Sequence, residues 1–599
     1  MIGAFAAASG LLVLVDSRLP FLAIAALLLA AVSLLRDRSR VFLPVLALAF
    51  VALHLLGFFV SVDSPVYFAY TSSLLADRDL DFENQWARLA LNITWPNPQP
   101  IGPGLLWAPA VGLTHLWLLA TGGVTDPLVI GPPYFAAAAA TTLAVALAGT
   151  FLLARTLALV HGPVPSWLAV IASIGASPIL YYLTVLPLMA HGLTFGLTAI
   201  TLALTLRTER EGTLRAWAWC GAALGLAVLC RTQAAVLVLF VFAGLWRSRA
   251  SIGQAGLTVF CALGVFSPQF LVWRILHGSF VTLPQEEGYI DLTRQHVIDV
   301  LLSADRGLFN WHPMLLLGLF GLVVVVRGRG AYCLAALVIF GVTAFVNGTV
   351  RDWNGSDAFG ARRFDVVIPL FAFGMAGLFD RMRRHLVRRP LLVPAAVIAA
   401  ATLWNASLID LRKGRTVTAI PLSELASLQT EQVRRAADAT AGRLGPEARA
   451  VIYKMFVGLF AYDNYWPGGD FDLSTLEPRF LGKGWSEVEM WEDGAKFRYL
   501  LYPEGCLLIP LNEPFDLRGH LLARAPARIP DQRLTVLLND RVLTVADVGA
   551  VWTEIPFEAP QRLWNAGENR FCVRAAKKRP GDEGDDLSYA AAVVRVQLP

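Results

Sequence analysis

The chain has 599 residues, of which 56% are hydrophobic and 16% charged, with a net charge of +5 and a mean hydropathy of +0.56. An average soluble domain carries about 25% charged residues, so the composition excludes an ordinary soluble protein. The basic residues gather in short loops between apolar runs, which points to orientation in a membrane and away from nucleic-acid binding.

A spanning helix needs roughly 20 apolar residues. Runs of that kind predict crossings at 19–35, 41–60, 128–154, 165–182, 186–206, 215–230, 232–246, 252–272, 312–326, 330–347, 364–380 and 390–409, with 2–15 as a short thirteenth. The expected fold class is therefore a mainly α, polytopic transmembrane bundle of about 12–13 spans, followed by an all-β domain. Arginines set the orientation. Arg36, Arg38 and Arg40, then Arg207, Arg210 and Arg215, then Arg247 and Arg249, then Arg327 and Arg329, then Arg381, Arg383, Arg384, Arg388 and Arg389 mark cytoplasmic loops. Counting spans places 62–127, 273–311, 348–363 and everything after 410 on the outer side. Residues 101–120 are apolar enough to cross but would invert every later loop. They are expected to form a broken, re-entrant or juxtamembrane helix, with Gly102, Pro103, Gly104 and Pro109 as the breakers.

The outer segments hold most of the ionisable residues, and four separate parts of the sequence converge on that face. Asp63 stands at the end of a span, with Tyr67 one helical turn later. A carboxylate so placed suits a general base; Asp-Ser-Pro is equally a good helix start. Asp77, Asp79 and Asp81 alternate as a candidate divalent-cation site, or as a solvated loop. Arg306, Arg362 and Arg363 are the candidate phosphate contacts, because guanidinium binds phosphate oxygens bidentately and keeps its charge near lipid. Headgroup anchoring is the alternative for them. His191, Glu286 and Trp353 join Tyr67 as candidate substrate contacts; Trp353 and Trp311 also fit an interfacial aromatic belt, and His191 and His312 also fit satisfied polar positions.

After about residue 410 the composition changes. Residues 411–480 are expected to be a helical connector at the membrane face. From 481 to 599 short strands such as GCLLIPL, RLTVLLN, WTEIPF, NRFCVRA and AAVVRVQL, separated by turns such as LNDR, predict a jelly-roll-like β-sandwich. Cys506 and Cys572 fall in this tail, where an oxidising compartment would let them pair; two separate buried thiols are the alternative. No other cysteine spacing suggests metal binding.

Taken in order, D-x-x-x-Y at Asp63 to Tyr67, S-L-L-x-D-x-D at Ser73 to Asp79, Gly102 to Pro109, R-G-L-F at Arg306 to Phe309 and F-G-x-R at Phe359 to Arg362 resemble the membrane-integral GT-C glycosyltransferases, over roughly residues 41–380. The bacterial protein mannosyltransferase and aminoarabinose transferase type is the nearest pattern. The resemblance implies a hexosyl- or pentosyltransferase in the bacterial inner membrane, with a periplasmic C-terminal domain. A polyprenyl-phosphate-linked sugar would be the donor and a glycan, lipid or protein the acceptor. Asp63 would be the base and arginines would steady the departing phosphate. No cofactor is required by the pattern, although a divalent metal is compatible with it. Many relatives carry a second acidic residue where this chain has Ser64, which weakens a family-type metal site. A transporter or flippase for lipid-linked glycans, or a non-catalytic assembly subunit, is the alternative reading.

Overall fold

The computed structural model describes residues 63–89, 96–282, 289–324, 326–355, 358–385, 392–414 and most of 469–598. Expected spans 2–15, 19–35 and 41–60, most of the 411–480 connector, and Glu286 lie outside the described residues. The chain divides into two compact units that part between Ala406 and Ser407.

The first unit is a helical bundle. Among the described residues four helices are long and apolar enough to cross a membrane, at Gly102–Thr121, Pro132–His161, Ile252–His277 and Gly330–Thr349, and shorter apolar helices accompany them. In chain order the elements that position the site are α1 (Asp63–Ala76), α2 (Glu83–Arg88), α3 (Gly102–Thr121), α4 (Pro132–His161), α5 (Pro163–Gly175), α6 (Ile179–Thr184), α7 (Ala190–Glu211), α8 (Leu214–Cys230) and α9 (Val238–Arg247). Then come α10 (Ile252–His277), α11 (Val297–Leu302), α12 (Leu308–Trp311), α13 (Leu315–Val324), α14 (Val326–Thr349), α15 (Ile368–His385) and α16 (Leu392–Gly414). Local sequence sets many of the ends. Ser251 and Gln254 form a reciprocal capping box on α10, and Gly278, with φ of 73°, closes it in the left-handed region. The run expected as one span at 165–182 breaks at Ala176–Pro178 into α5 and α6, because proline cannot continue the hydrogen-bond ladder.

Small residues bring the helices together. A Cβ on Gly149 of α4 would lie 2.2 Å from the Gly196 carbonyl of α7, and one on Gly321 of α13 would lie 2.2 Å from the Gly374 carbonyl of α15. Side-chain bonds extend the first contact: Arg207 donates to Thr156 at 3.0 Å, and Arg210 reaches the Leu159 carbonyl at 3.5 Å. Residues advance in step on both helices, so α4 and α7 run parallel. Arg383 on α15 packs beside Gly162 at the foot of α4, and Arg247 bonds Glu209 at the foot of α7 at 2.9 Å. The described arginine loops therefore meet at one end of the bundle.

Helix α3 differs from the expected broken segment. It is continuous over Gly102–Thr121, with Gly102 and Pro103 at its start and Pro109 inside it. It lies antiparallel to the upper part of α4, since Trp107 donates to Thr142 at 2.9 Å and His115 meets the Tyr134 hydroxyl at 2.9 Å. That register puts the start of α3 beside the middle of α4, which continues about 20 Å further. Gly102 is seated against the Leu229 and Cys230 backbone, where a Cβ would come within 2.3 Å of the Leu229 carbonyl. Leu113, Leu116, Trp117 and Leu119 leave an apolar face exposed.

The second unit is a sandwich of two antiparallel sheets. One has the order β2-β3-β10-β5-β8, with β1 also paired to β10; the other has the order β4-β9-β6-β7. The strands are β1 (Gly469–Asp472), β2 (Trp485–Met490), β3 (Lys496–Leu501), β4 (Glu504–Leu511), β5 (Leu517–Arg524), β6 (Gln532–Leu538), β7 (Arg541–Val548), β8 (Thr553–Ala559), β9 (Gly567–Ala575) and β10 (Tyr589–Leu598). Alternation places Leu517, Leu521 and Ala523 of β5 inward against Ile555 and Phe557 of β8. Asn539 and Asp540, with φ of 50° and 67°, make the tight β6–β7 turn that LNDR predicts. Because Gly469–Asp472 pairs with β10, the sandwich begins before the expected boundary at 481. Cys506 and Cys572 face each other across β4 and β9 and form a disulfide.

Candidate functional site

At the end of the bundle away from the arginine loops lies a cavity of about 1080 Å³, lined by Asp63, Tyr67, His191, Arg231, Gln233, Trp273, His277, Tyr289, Arg351, Asp352, Arg362 and Arg363, with the Pro96, Pro98 and Pro100 strap over one side. Ligand pockets usually measure about 300–1,000 Å³, so this one stands at the upper end of that range. It is built from helix ends: the first turns of α1 and α7, the last residues of α8 and α10, and the loops after Thr349 and before Ile368.

Asp63 is the first described residue of α1 and lines the cavity. The strap holds that helix in place. Buried Asn97 donates to the Val66 carbonyl at 2.8 Å, and the Tyr70 hydroxyl donates to the Gln99 carbonyl at 3.0 Å. Arg362 Nη1 donates to Asp63 Oδ2 at 3.2 Å, joining residues 299 positions apart. Burial alone would lower the Arg362 pKa, but Tyr182, Asp63 and Tyr67 around it leave it raised, so its charge is secure.

Arg363 also lines the cavity. It donates to Asp352 Oδ2 at 2.6 Å, to the Asp352 carbonyl at 2.8 Å and to the Tyr289 hydroxyl at 2.9 Å. Tyr289 reaches it because Ile290 and Val350 form a β-bridge that draws the two outer loops together. Burial raises the Tyr289 pKa, so the phenol stays protonated and polar. Beneath them sits a group that sequence reasoning did not assemble, although it singled out His191. Asp365, fully buried, accepts from His191 at 2.9 Å and pairs with Arg231 at 3.1 Å; Arg231 also contacts His191 and Gln233. Arg231 is visible in the sequence as a lone cation at the turn between two apolar runs. Nothing local marks Asp365, which sits 174 positions from His191.

Other expected contacts lie elsewhere. Arg306 is absent from the cavity wall. It is 3% exposed, donates to the Asn354 carbonyl at 3.2 Å and pairs with Asp305 at 3.3 Å, beside a chamber of about 20 Å³ behind the loop. Trp353 lines that chamber and stacks on His296 with ring centres 5.2 Å apart. His312, expected as a satisfied polar residue, is buried with no partner on either ring nitrogen among the described residues, packed against Gly360 and Phe359.

Asp77 and Asp79 turn out to be loop fasteners. Asp77 Oδ2 accepts from Asn84 at 2.9 Å and Gln85 at 2.7 Å, while Asp79 Oδ1 accepts from the Ser73 hydroxyl at 2.9 Å and the Asp81 amide at 3.2 Å. No cluster of three acidic, His or Cys ligands forms around them among the described residues. The loop does not fit the divalent cation that its spacing suggests. The single such cluster among the described residues, Glu504 with Cys506 and Cys572 in the sandwich, has its thiols consumed in the disulfide.

No family model and no curated protein matches this chain. Among solved structures it is similar to ArnT from Cupriavidus metallidurans bound to undecaprenyl phosphate, at 16% identity over 70% of this chain and 75% of that one, with a TM-score of 0.44. It is also similar to arabinosyltransferase EmbB from Mycobacterium smegmatis, at 12% identity over 93% of this chain and 67% of that one, with a TM-score of 0.33. A family 35 carbohydrate binding module from an environmental isolate is 12% identical over 22% of this chain and 91% of that one, with a TM-score of 0.17. At identities this low the likeness is one of partial architecture, and what the chain does has to be read from its own site.

Proposed function

We propose that the protein is a membrane glycosyltransferase that moves a sugar from a polyprenyl-phosphate donor to a hydroxyl or amine acceptor. The observation that carries this reading is the Asp63–Arg362 juxtaposition at 3.2 Å on the wall of a cavity that also presents Arg231, Arg351 and Arg363. Glycosyl transfer from a phosphate needs a carboxylate that accepts the acceptor's proton and fixed cations where negative charge develops on the leaving phosphate. Both are present within one concave site, and the order of motifs resembles GT-C enzymes. In the transfer, the acceptor's lone pair bonds to the anomeric carbon and its proton passes to Asp63. The anomeric carbon–oxygen bond breaks, and the electron pair leaves with polyprenyl phosphate. Arg231, fixed by Asp365 and His191, and Arg362 steady that phosphate; Arg363, fixed by Asp352 and Tyr289, shapes the wall beside it.

Location at helix ends favours chemistry over transport, since carriers bind their substrates near the bilayer midplane between repeats. The cavity lies opposite the arginine loops, and the positive-inside rule favours the outer side for it. The sugar-transfer rate of purified Asp63→Asn in nanodiscs, with polyprenyl-phosphate sugars as donors, tests the reading. A loss of about 100-fold or more is expected; an undiminished rate in the folded variant overturns it.

A further inference from the structure

Asp63 and Arg362 have opposite tasks in the proposed chemistry, yet a direct bond ties them together. It engages one carboxylate oxygen, Oδ2, and one guanidinium nitrogen, Nη1, and so holds the fork turned toward the base instead of toward a phosphate. The Asp63 side chain is 40% exposed and that of Arg362 is 19% exposed, so both are reachable from the cavity. The other arginines held by aspartate along this wall are held differently. Arg363 is bound by Asp352 and Tyr289, and Arg231 by Asp365. Neither Asp352 nor Asp365 is the candidate base. Arg362 is the arginine whose carboxylate partner is the base itself, and the contact is a single Nη1–Oδ2 bond.

We propose that the Asp63–Arg362 pair is a latch released by the donor's phosphate: the phosphate draws Arg362 away and leaves Asp63 Oδ2 open to the acceptor's proton. This rests on the glycosyltransferase reading. A phosphate presents several oxygens to the planar guanidinium fork and binds it bidentately, so it outcompetes a carboxylate held through one nitrogen. Donor binding therefore exchanges the carboxylate for phosphate on Arg362 and frees Oδ2 of the base. Once released, Asp63 takes the proton, the acceptor bonds to the anomeric carbon, and polyprenyl phosphate leaves with the electron pair of the broken bond.

The latch makes a prediction opposite to that for an ordinary binding residue: removing the Asp63 charge should strengthen phosphate binding, because Arg362 is no longer shared. The probe is farnesyl phosphate, titrated into the full-length protein in nanodiscs. Asp63→Asn is expected to bind it about five- to tenfold more tightly than the wild type. Arg362→Ala should bind it more weakly, and in the Arg362→Ala background the gain from Asp63→Asn should disappear, which separates the latch from simple loss of repulsion. Unchanged or weaker binding by Asp63→Asn, or a gain that persists without Arg362, overturns the latch and leaves the transferase reading standing. Absence of farnesyl phosphate binding in every form overturns both. Should a variant fail to fold, the wild type alone decides: with farnesyl phosphate bound, Arg362 should contact phosphate and lie beyond hydrogen-bond reach of Asp63. Persistence of the pair in that complex overturns the proposal.

Discussion

Arg306 occupies a left-handed backbone position, with φ of 62°, and its side chain is buried. Few non-glycine residues adopt that conformation, and its contacts say what holds it there. Arg306 grips the Asn354 carbonyl and Asp305, while Asn354 donates to Asp305 at 2.6 Å. The three lock the loop that carries Asp352, which in turn anchors Arg363. The sequence assigns Arg306 to phosphate; its geometry makes it the fastener of the residues that line the cavity. Removing one partner of a buried ion pair costs about 3–5 kcal/mol, so Arg306→Ala should lower the thermal unfolding temperature in detergent clearly. Unchanged unfolding together with weakened phosphate binding would return Arg306 to the role of a direct contact. The same reasoning applies to Arg231. The sequence shows a cation at a turn between apolar runs, and its partner appears only when Asp365 is brought beneath it.

Helices are positioned by surfaces that sequence periodicity does not report. The apolar runs of this chain lack a polar face, so their existence is easy to read and their neighbours are not. The close approach of α4 and α7 depends on Gly149 and Gly196 meeting backbone to backbone, as small residues allow between apolar helices. Gly149→Ala places a Cβ where the Gly196 carbonyl stands and should destabilise the bundle by about 1–3 kcal/mol. Gly256 of α10 is exposed with nothing within 4 Å of its Cβ position, so Gly256→Ala should raise stability, by about 0.5–1 kcal/mol. Thermal melting of both variants in the same detergent checks the contrast. Helix α3 shows how an element can be found and its form misread. Its glycines and prolines suggest a break, but Gly102 and Pro103 are used at the start, where proline costs little. Gly104 is used instead for contact with Tyr70, where a Cβ would lie 2.5 Å away.

At the scale of the whole chain, the two units are held by different physics. The bundle relies on apolar helices with polar residues gathered at their ends; the sandwich relies on alternating strands around a dry core that includes Leu521, Val536, Phe557 and Phe571. Cys506 and Cys572, 66 residues apart, add a cross-link between neighbouring strands of one sheet. Losing such a bond typically costs about 2–5 kcal/mol. Cys572→Ser in the full-length protein should therefore make the sandwich more susceptible to proteolysis. In the wild type, thiol alkylation should reach Cys506 only after reduction and unfolding. Ready labelling of Cys506 without reductant would show that the pair is not formed in the cell.

The sequence by itself determined what local pattern can carry. Hydrophobic runs announce the helices, alternation announces β4, β6, β8, β9 and β10, and charge placement picks out Asp63, Arg362 and Arg363. Strands β5 and β7 were harder to read because charged outward residues such as Arg518 and Asp547 interrupt their runs. Only the tertiary structure decided which ionisable residues belong together. It joined Asp63 to Arg362 and Asp365 to His191 and Arg231, and withdrew Arg306 and Trp353 from the cavity wall. Ion pairs depend on distance in space, whereas periodicity depends on neighbours along the chain, and the separation of 299 residues between the two halves of the proposed latch leaves no local trace.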